Sequence, residues 1–334
     1  MLSFLYTGAY PDKVKSSPET ICRFREGGNM RTIHKIAVLG GDRRTEMILA
    51  GLHRTYPDTS LAVWGTEGMQ PPEYVHTTKT WQEAMSGAQV GILPIPVTRD
   101  GETLSADPHA NQTVPLEALC RFLRPGSLLL GGIVPPVVMR MAGENAVYFA
   151  DYYDDGVVQT LNAVPTAEGA LAIAIRELPV ILPETTAVIT GYGRCAKALA
   201  NRLHLLGAKV IVAARRPEAL AEAACDGCDT VLLDTFLADP LACQILFNTI
   251  PAPVFTPSCL YRMTEDCVLV ELAQGLPVSL EIPPHIRLIR APGLPGRTAP
   301  CTAGRILCDA ILGRIAIWQQ GEQDTTLQKG GGDT

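Results

Sequence analysis

Residues 187–216 read AVITGYGRCAKALANRLHLLGAKVIVAARR. An apolar run leads into Gly191-Tyr192-Gly193-Arg194-Cys195-Ala196, which has the G-x-G-x-x-A spacing of a dinucleotide-binding turn. The first glycine permits a tight turn, the second lets a pyrophosphate approach the backbone, and the small last residue lets the helix pack against the strand. A helix-spaced apolar stripe, Gly207 and a second apolar run follow. The stretch therefore predicts a β-α-β unit with nucleotide-binding residues Gly191, Gly193, Arg194 and Cys195, or else an unoccupied structural turn.

The end of the second apolar run bears on the choice of cofactor. An NAD site usually has Asp or Glu there to bind the ribose 2′-hydroxyl, whereas this chain has Arg215 and Arg216. Two guanidinium groups can hold a 2′-phosphate through charge-assisted hydrogen bonds. The sequence favours NADP, with NAD as the alternative cofactor and solvent-facing arginines as the structural alternative.

Composition restricts the class of protein. The chain has 334 residues, 47% of them hydrophobic and 19% charged, which suits a globular protein of two domains. Its net charge of −6 gives no indication of a nucleic-acid partner. No apolar run is long enough to predict a membrane span, and the N-terminus lacks the pattern of a signal peptide. The ten scattered cysteines are typical of reduced thiols in the cytoplasm, and we expect no metal site.

Apolar runs alternate with helical patterns along the chain, which is typical of α/β proteins with parallel sheets. In the first unit we predict strands over 33–39, 61–64, 90–93, 127–130 and 146–149. In the second unit we predict strands over 187–190, 209–213, 230–233, 245–248, 267–272 and 286–289. The predicted fold is two doubly wound, Rossmann-like domains with a cleft between them.

The predicted boundaries follow from changes in this pattern. We predict an N-terminal extension of doubtful order at 1–29 and a substrate domain at 30–160. A nucleotide-binding domain follows at 161–303, with a bridge helix at 166–177 near its start. A helix at 304–320 should return to the first domain, and a disordered tail should follow at 321–334.

Several motifs together resemble one family. They are Gly40-Gly41-Asp42-x-Arg44, Pro165-Thr166-Ala167-Glu168-Gly169-Ala170, the glycine turn, Asn248-Thr249-Ile250-Pro251, Ala291-Pro292-Gly293-Leu294-Pro295-Gly296 and Thr302-Ala303-Gly304. In this order, over about 30–318, the chain resembles the dipicolinate synthase A-subunit family of endospore-forming bacteria. The resemblance implies NADP-dependent oxidation of dihydrodipicolinate, a small dicarboxylate, to dipicolinate during sporulation. It also implies the flavoprotein-like B-subunit of dipicolinate synthase as partner, and the mother-cell cytoplasm as location.

The chain departs from the family pattern at two positions. A turn that usually begins with aspartate reads Glu271-Leu272-Ala273-Gln274-Gly275-Leu276-Pro277, and Cys301 stands where the family commonly has lysine before Thr-Ala-Gly. The chain therefore resembles a divergent member of the family.

A dicarboxylate substrate needs cationic partners in the cleft. Arg44, Arg99 and Arg297 each follow a predicted strand at its carboxyl end, where side chains of neighbouring strands converge. Each guanidinium can bind a carboxylate through two hydrogen bonds, although any one of them alone could be an exposed loop residue. We predict these three arginines, with Thr302, as substrate-binding residues.

Two residues are candidates for the catalytic base. Glu168 lies near the start of the predicted bridge helix, where it could instead stabilise a helix N-terminus capped by Thr166. His109 lies in a loop and has a suitable intrinsic pKa, although a loop histidine can equally be incidental. A third alternative is transfer of the proton to water.

Asn248, Thr249, Ile250 and Pro251 follow the fourth strand of the second unit. In this fold such a turn borders the nicotinamide ribose, so we predict that these residues contact the cofactor. Two other functions remain open on the sequence: a dehydrogenase of the alanine or hydroxyacid type, which needs a catalytic Lys or His in the cleft, and a non-catalytic nucleotide-binding subunit.

Overall fold

The computed structural model describes residues 31–66, 69–106 and 112–321. The predicted extension at 1–29 and the tail beyond residue 321 lie outside the described residues. In the described part, no helix is long and apolar enough to cross a membrane.

The first sheet has six parallel strands, with near-complete burial of the apolar residues in its central members. Its strands are β1 (Lys35–Leu39), β2 (Ser60–Trp64), β3 (Val75–Thr77), β4 (Val90–Ile92), β5 (Leu128–Gly131) and β6 (Tyr148–Asp151). Their spatial order is β3-β2-β1-β4-β5-β6, so the strand order reverses between β1 and β4. The helices of this unit are α1 (Arg44–Thr55), α2 (Trp81–Met85), α3 (Leu116–Phe122) and α4 (Pro136–Glu144).

The second sheet repeats this plan after the long helix α5 (Gly156–Glu177). Its strands are β7 (Thr186–Thr190), β8 (Lys209–Ala214), β9 (Asp229–Leu232), β10 (Ile245–Asn248), β11 (Val268–Glu271) and β12 (Arg287–Arg290). They are all parallel, in the order β12-β11-β10-β7-β8-β9. The intervening helices are α6 (Arg194–Leu205), α7 (Pro217–Cys225), α8 (Leu233–Ala238) and α9 (Pro257–Tyr261). The predicted α/β fold with two doubly wound sheets is confirmed.

The chain ends in two helices, α10 (Leu294–Thr298) and α11 (Pro300–Gln320). The apolar face of α11 lies in the core of the first sheet, where Leu307, Ile311 and Ile315 join the same buried cluster as Ile36 and Leu49. The last helix therefore packs on the first unit, although it follows the second unit in sequence.

The bridge helix differs from its prediction. It begins ten residues earlier, at Gly156, and Asp155 caps it by accepting hydrogen bonds from Val157 N and Val158 N. Pro165 normally signals a helix boundary because it lacks an N–H. Here it lies buried inside the helix. Tertiary packing of this buried face outweighs the lost backbone hydrogen bond.

Other differences have simple physical causes. The three-residue strand β3 and the helix α4 were not predicted, because both are too short to show a clear period in the sequence. Leu206 is exposed and forms the C-cap of α6, whereas Ala196 and Ala200 belong to the buried face of that helix.

Candidate functional site

The glycine turn lies at the point where the strand order of the second sheet reverses, between β7 and β10. Gly191 has φ +84°, and a Cβ atom there would lie 2.9 Å from Thr249 Oγ1. Only glycine tolerates both this left-handed conformation and this close approach of the neighbouring turn.

Gly193 differs from Gly191 in its surroundings. It is the N-cap of α6, no side chain caps that helix, and a Cβ atom at Gly193 would have no neighbour within 4 Å. The first N–H groups of a twelve-residue helix therefore face open space, which is the arrangement that binds a pyrophosphate. The residues present fit a dinucleotide.

The next two residues fasten this turn to the bridge helix. Arg194 Nη1 donates to Gln159 Oε1 at 2.8 Å. Cys195 is half-buried beside Thr166, and burial raises the pKa of its thiol. The side chains of Arg194 and Cys195, which were predicted to bind cofactor, thus contact α5, while their backbone N–H groups remain at the start of α6.

A buried polar network joins three strand ends beside this turn. Asn248 is fully buried; its Oδ1 accepts from Thr190 Oγ1 at 2.8 Å, and its Nδ2 donates to Glu271 Oε2 at 2.8 Å. Thr249 Oγ1 donates to Thr190 O at 2.7 Å, so only its lone pairs remain for a ligand. Ile250 N donates to Asn248 Oδ1 at 3.2 Å, and Pro251 is exposed. The network makes this edge of the sheet rigid.

Arg215 and Arg216 follow the carboxyl end of β8, the strand that pairs with β7. Both side chains are exposed, and Arg216 is the N-cap of α7. Their guanidinium groups are therefore accessible to a ligand that extends from the glycine turn across the end of β8.

A cleft of about 750 Å³ lies between the carboxyl ends of the two sheets. Its walls come from the segments that follow β1, β4, β11 and β12. The lining residues are Asp42, Arg43, Arg44, Ile95, Pro96, Arg99, Glu271, Gln274, Leu276, Val278, Arg290, Pro292, Gly293, Gly296 and Arg297. All three predicted substrate arginines line it.

The three arginines differ in their freedom to bind a ligand. Arg44 is only 8% exposed and is the first residue of α1 rather than a loop residue; it already holds Asp42. Arg99 and Arg297 are exposed, and neither is paired with a carboxylate in the described part of the chain. Arg297 lies in α10, where a loop was expected.

Two further arginines line the cleft that were not predicted from the sequence. Arg43 precedes α1 and is exposed, and Arg290 ends β12. Arg43 could have been found from its place beside Arg44. Arg290 has no local signal, because its approach to the cleft depends on where β12 lies in the sheet.

Asp100 organises the loop that carries Arg99. Its carboxylate accepts from Thr103 Oγ1 at 2.5 Å, Thr103 N at 2.8 Å, Glu102 N at 2.9 Å and Thr98 Oγ1 at 2.9 Å. These hydrogen bonds, with that of the Thr103 hydroxyl first, hold the pKa of Asp100 well below its usual range. The ionised form of Asp100 therefore stabilises the loop.

The end of the second unit packs closely on the start of α1. A Cβ atom at Gly296 would lie 2.5 Å from Asp42 Oδ2, and one at Gly304 would lie 2.5 Å from Arg44 O. Thr302 is half-buried in the first turn of α11, and Cys301 beside it is exposed. Neither Thr302 nor Cys301 is among the residues that line the cleft.

The structure places one of the two candidate bases, Glu168, outside the residues that line the cleft. Glu168 lies in the middle of α5 rather than at its start, and it faces Arg202 Nη2 in the last turn of α6 at 3.5 Å. Thr166 is not a cap, since its hydroxyl donates to Asn162 O inside the helix. The predicted helix start at residue 166 and the predicted cap by Thr166 are both wrong, because the helix runs continuously through Pro165. His109 lies outside the described residues.

Two doubly wound parallel sheets, a glycine turn at a strand-order reversal and a cleft between the carboxyl ends define a two-domain protein of the Rossmann-like, dinucleotide-binding fold class. Within the described residues, no group of three or more potential metal ligands occurs.

Comparison with known proteins specifies the class further. Residues 35–153 match the family of the dipicolinate synthase A-subunit N-terminal domain. The A-subunit of dipicolinate synthase from Bacillus subtilis (strain 168) is 26% identical over 301 residues, which are 88% of this chain and 99% of that protein. The chain is therefore similar to dipicolinate synthase A-subunits over most of its length, and its first unit matches the N-terminal domain of that family.

Solved structures agree on the fold. The crystal structure of dipicolinate synthase, A chain, from Bacillus subtilis has a TM-score of 0.71 at 24% identity, over 88% of this chain and 99% of that one. An L-alanine dehydrogenase has a TM-score of 0.59 at 15% identity, over 89% of this chain and 94% of that one.

Proposed function

We propose that this chain is an NAD(P)-dependent oxidoreductase that oxidises dihydrodipicolinate to dipicolinate, with NADP as the preferred cofactor. The observation that carries the proposal is the excess of positive charge in the cleft. Five arginines line it against two carboxylates, and Asp42 and Glu271 are both engaged in contacts within the protein. Such a cleft favours a small ligand with more than one carboxylate.

The chain's own residues would hold the cofactor beside this cleft. The N–H groups at the start of α6 would bind the pyrophosphate, and the open space at Gly193 lets it approach. Arg215 and Arg216 would bind the 2′-phosphate of NADP. When bound, the nicotinamide ring supplies the hydride acceptor.

The cleft residues would orient the substrate. Arg99 and Arg297 are exposed and would each bind a carboxylate through two hydrogen bonds, which fixes the plane of the substrate ring. The buried Asn248–Glu271 contact would keep the cofactor edge rigid. Aromatisation supplies driving force, so the proton can pass to water in the open cleft without a strong side-chain base.

We infer further that the chain works with the flavoprotein-like B-subunit of dipicolinate synthase in the mother-cell cytoplasm during sporulation. The support is the name of the Bacillus subtilis relative, which denotes one of the subunits of a synthase.

A dehydrogenase of the alanine type is the competing function. Its chemistry needs a Lys or His in the cleft. Among the described residues that line the cleft there is neither, so the geometry favours dicarboxylate oxidation.

The test is an assay with enzymatically generated dihydrodipicolinate and either NADP or NAD. Dipicolinate and reduced nicotinamide are followed together, with and without the candidate partner. Arg99→Ala and Arg297→Ala should raise KM at least tenfold each while leaving nucleotide affinity unchanged. Arg121→Ala is the matched control, because Arg121 is exposed on α3 and pairs only with Glu117 one turn away.

Coupled formation of both products by the wild-type protein would support the proposal. Nucleotide binding without product under any condition would contradict it, and would favour a non-catalytic role. Equal effects of Arg121→Ala and Arg297→Ala would show that the cleft arginines have no special role.

A further inference from the structure

One turn at the rim of the cleft is held from both sides. We call residues 272–278 the cleft-edge turn; it follows β11, and Gln274, Leu276 and Val278 line the cleft. Glu271 and Arg290 are direct neighbours in the pairing of β11 with β12. These two side chains of opposite charge therefore stand at the base of the turn.

The two side chains hold opposite backbone groups of the turn. Glu271 is 2% exposed, and its Oε1 accepts from Ala273 N and Gly275 N at 3.0 Å each. Arg290 donates from Nη1 to Leu276 O at 2.8 Å and from Nη2 to Pro277 O at 3.0 Å. The Glu271 carboxylate orders the N–H groups of the turn, and the Arg290 guanidinium orders its carbonyl groups. Both side chains therefore use part of their hydrogen-bonding capacity within the protein.

Gln274 has an unusual backbone within this turn. Its φ is +58°, a left-handed conformation that is uncommon for residues with a Cβ atom. Gly275 next to it packs so closely on the neighbouring turn that a Cβ atom would lie 2.7 Å from Ala252 O. Such a conformation persists only where the surroundings enforce it, and it is often found at functional sites.

Among the described residues that line the cleft, Gln274 has the only uncharged side chain that can form hydrogen bonds. It is exposed, and its amide makes no hydrogen bond with another residue of the described part of the chain. The arginines can bind the two carboxylates of a ligand regardless of which ring atom lies between those carboxylates. A neutral amide, which offers both a donor and an acceptor, can distinguish the atom that lies between two carboxylates.

We propose that Gln274 is a specificity-determining residue of the cleft, which donates a hydrogen bond to a ring nitrogen between two carboxylates, and that Glu271 and Arg290 are its positioning residues. The proposal rests on the proposed function for its dicarboxylate ligand. The hydrogen bond from Gln274 would make the cleft prefer a nitrogen heterocycle over a carbocycle of the same shape.

The experiment compares two probes that differ in one ring atom. Pyridine-2,6-dicarboxylate and benzene-1,3-dicarboxylate are titrated calorimetrically into the full chain in the presence of nucleotide. The wild-type protein should bind the pyridine compound about tenfold more tightly. Gln274→Gly should remove this preference and leave affinity for the benzene compound within about twofold. Glycine adopts positive φ freely, so the melting temperature should not fall.

The positioning role has its own readout. Arg290→Ala should reduce the ratio of the two affinities severalfold, and Arg290→Lys should restore part of it. A merely structural role would lower both affinities together and leave their ratio unchanged.

The outcomes separate the two proposals. An unchanged ratio in Gln274→Gly overturns the role of Gln274 alone. Failure of the wild-type protein to bind either probe overturns the dicarboxylate substrate class, and with it the role of Gln274.

Discussion

Asp42 and Arg44 hold each other through two parallel contacts, Nε to Oδ1 and Nη2 to Oδ2, both of 2.8 Å. The pair lies at the start of α1, on the wall of the cleft, and Gly296 of the second unit lies directly against it. The charge of the most buried cleft arginine is therefore balanced within the protein, and the exposed Arg43, Arg99 and Arg297 are the cleft arginines that remain accessible to a ligand.

Removal of Asp42 should destabilise the protein. Asp42→Ala leaves the buried Arg44 guanidinium without its carboxylate, which should cost about 2 kcal/mol of unfolding free energy. Urea denaturation measures this loss. Asp42→Asn keeps one acceptor and should lose less; a loss as large as that of Asp42→Ala would show that shape, rather than hydrogen bonding, matters there.

Gly296→Ala should disturb the contact between the two units. Its Cβ atom would lie 2.5 Å from Asp42 Oδ2, so either the Asp42–Arg44 pair or α10 must shift. We expect a loss of about 1–3 kcal/mol in stability. Gly313→Ala is the control, because it is helical with no neighbour within 4 Å and should stabilise α11 by about 0.5–1 kcal/mol. Equal stability of the two variants would contradict the close packing described here.

Gly193→Asp should abolish nucleotide binding without unfolding the protein. There is open space at this position, so the side chain fits the free protein, but its charge and bulk conflict with a pyrophosphate. Fluorescence titration with NADPH and a melting curve test both parts. Unchanged cofactor affinity would overturn the dinucleotide site.

Replacement of Arg215 and Arg216 together by alanine should weaken NADPH binding at least tenfold, and NADH binding far less, because only NADPH carries the 2′-phosphate. The dissociation constants of both cofactors are the measurement. Equal losses would mean that these arginines do not contact the phosphate.

Asp100 should make the stability of its loop depend on acid pH. Its pKa is lowered in the folded protein, first by the Thr103 hydroxyl, while an aspartate in an unfolded chain has a pKa of about 3.9. The stabilisation is therefore present above about pH 4 and is lost as the pH falls below it. Melting curves of the wild-type protein and Asp100→Asn should differ at neutral pH and converge in acid. A constant difference down to about pH 2 would contradict this assignment.

Much of the fold could be predicted because its signals are local. Strand interiors such as Val188–Ile189 and the G-x-G-x-x-A turn carry their own period and geometry, since backbone conformation depends mainly on near neighbours. The predicted start of the bridge helix is wrong, because Pro165 locally disfavours a helix but is buried within one here.

The residue types in the amino-acid order were enough to predict two doubly wound sheets, a dinucleotide turn and cationic strand ends. The tertiary structure decided which strand ends meet at the cleft and which side chains contact one another there. Arg44 is neutralised by Asp42 two residues away, yet Arg290 reaches the cleft and Glu271 meets Asn248 only because their strands lie side by side in the sheet. Hydrogen-bond partners that are distant in sequence leave no local pattern, so these contacts could be identified only from the tertiary structure.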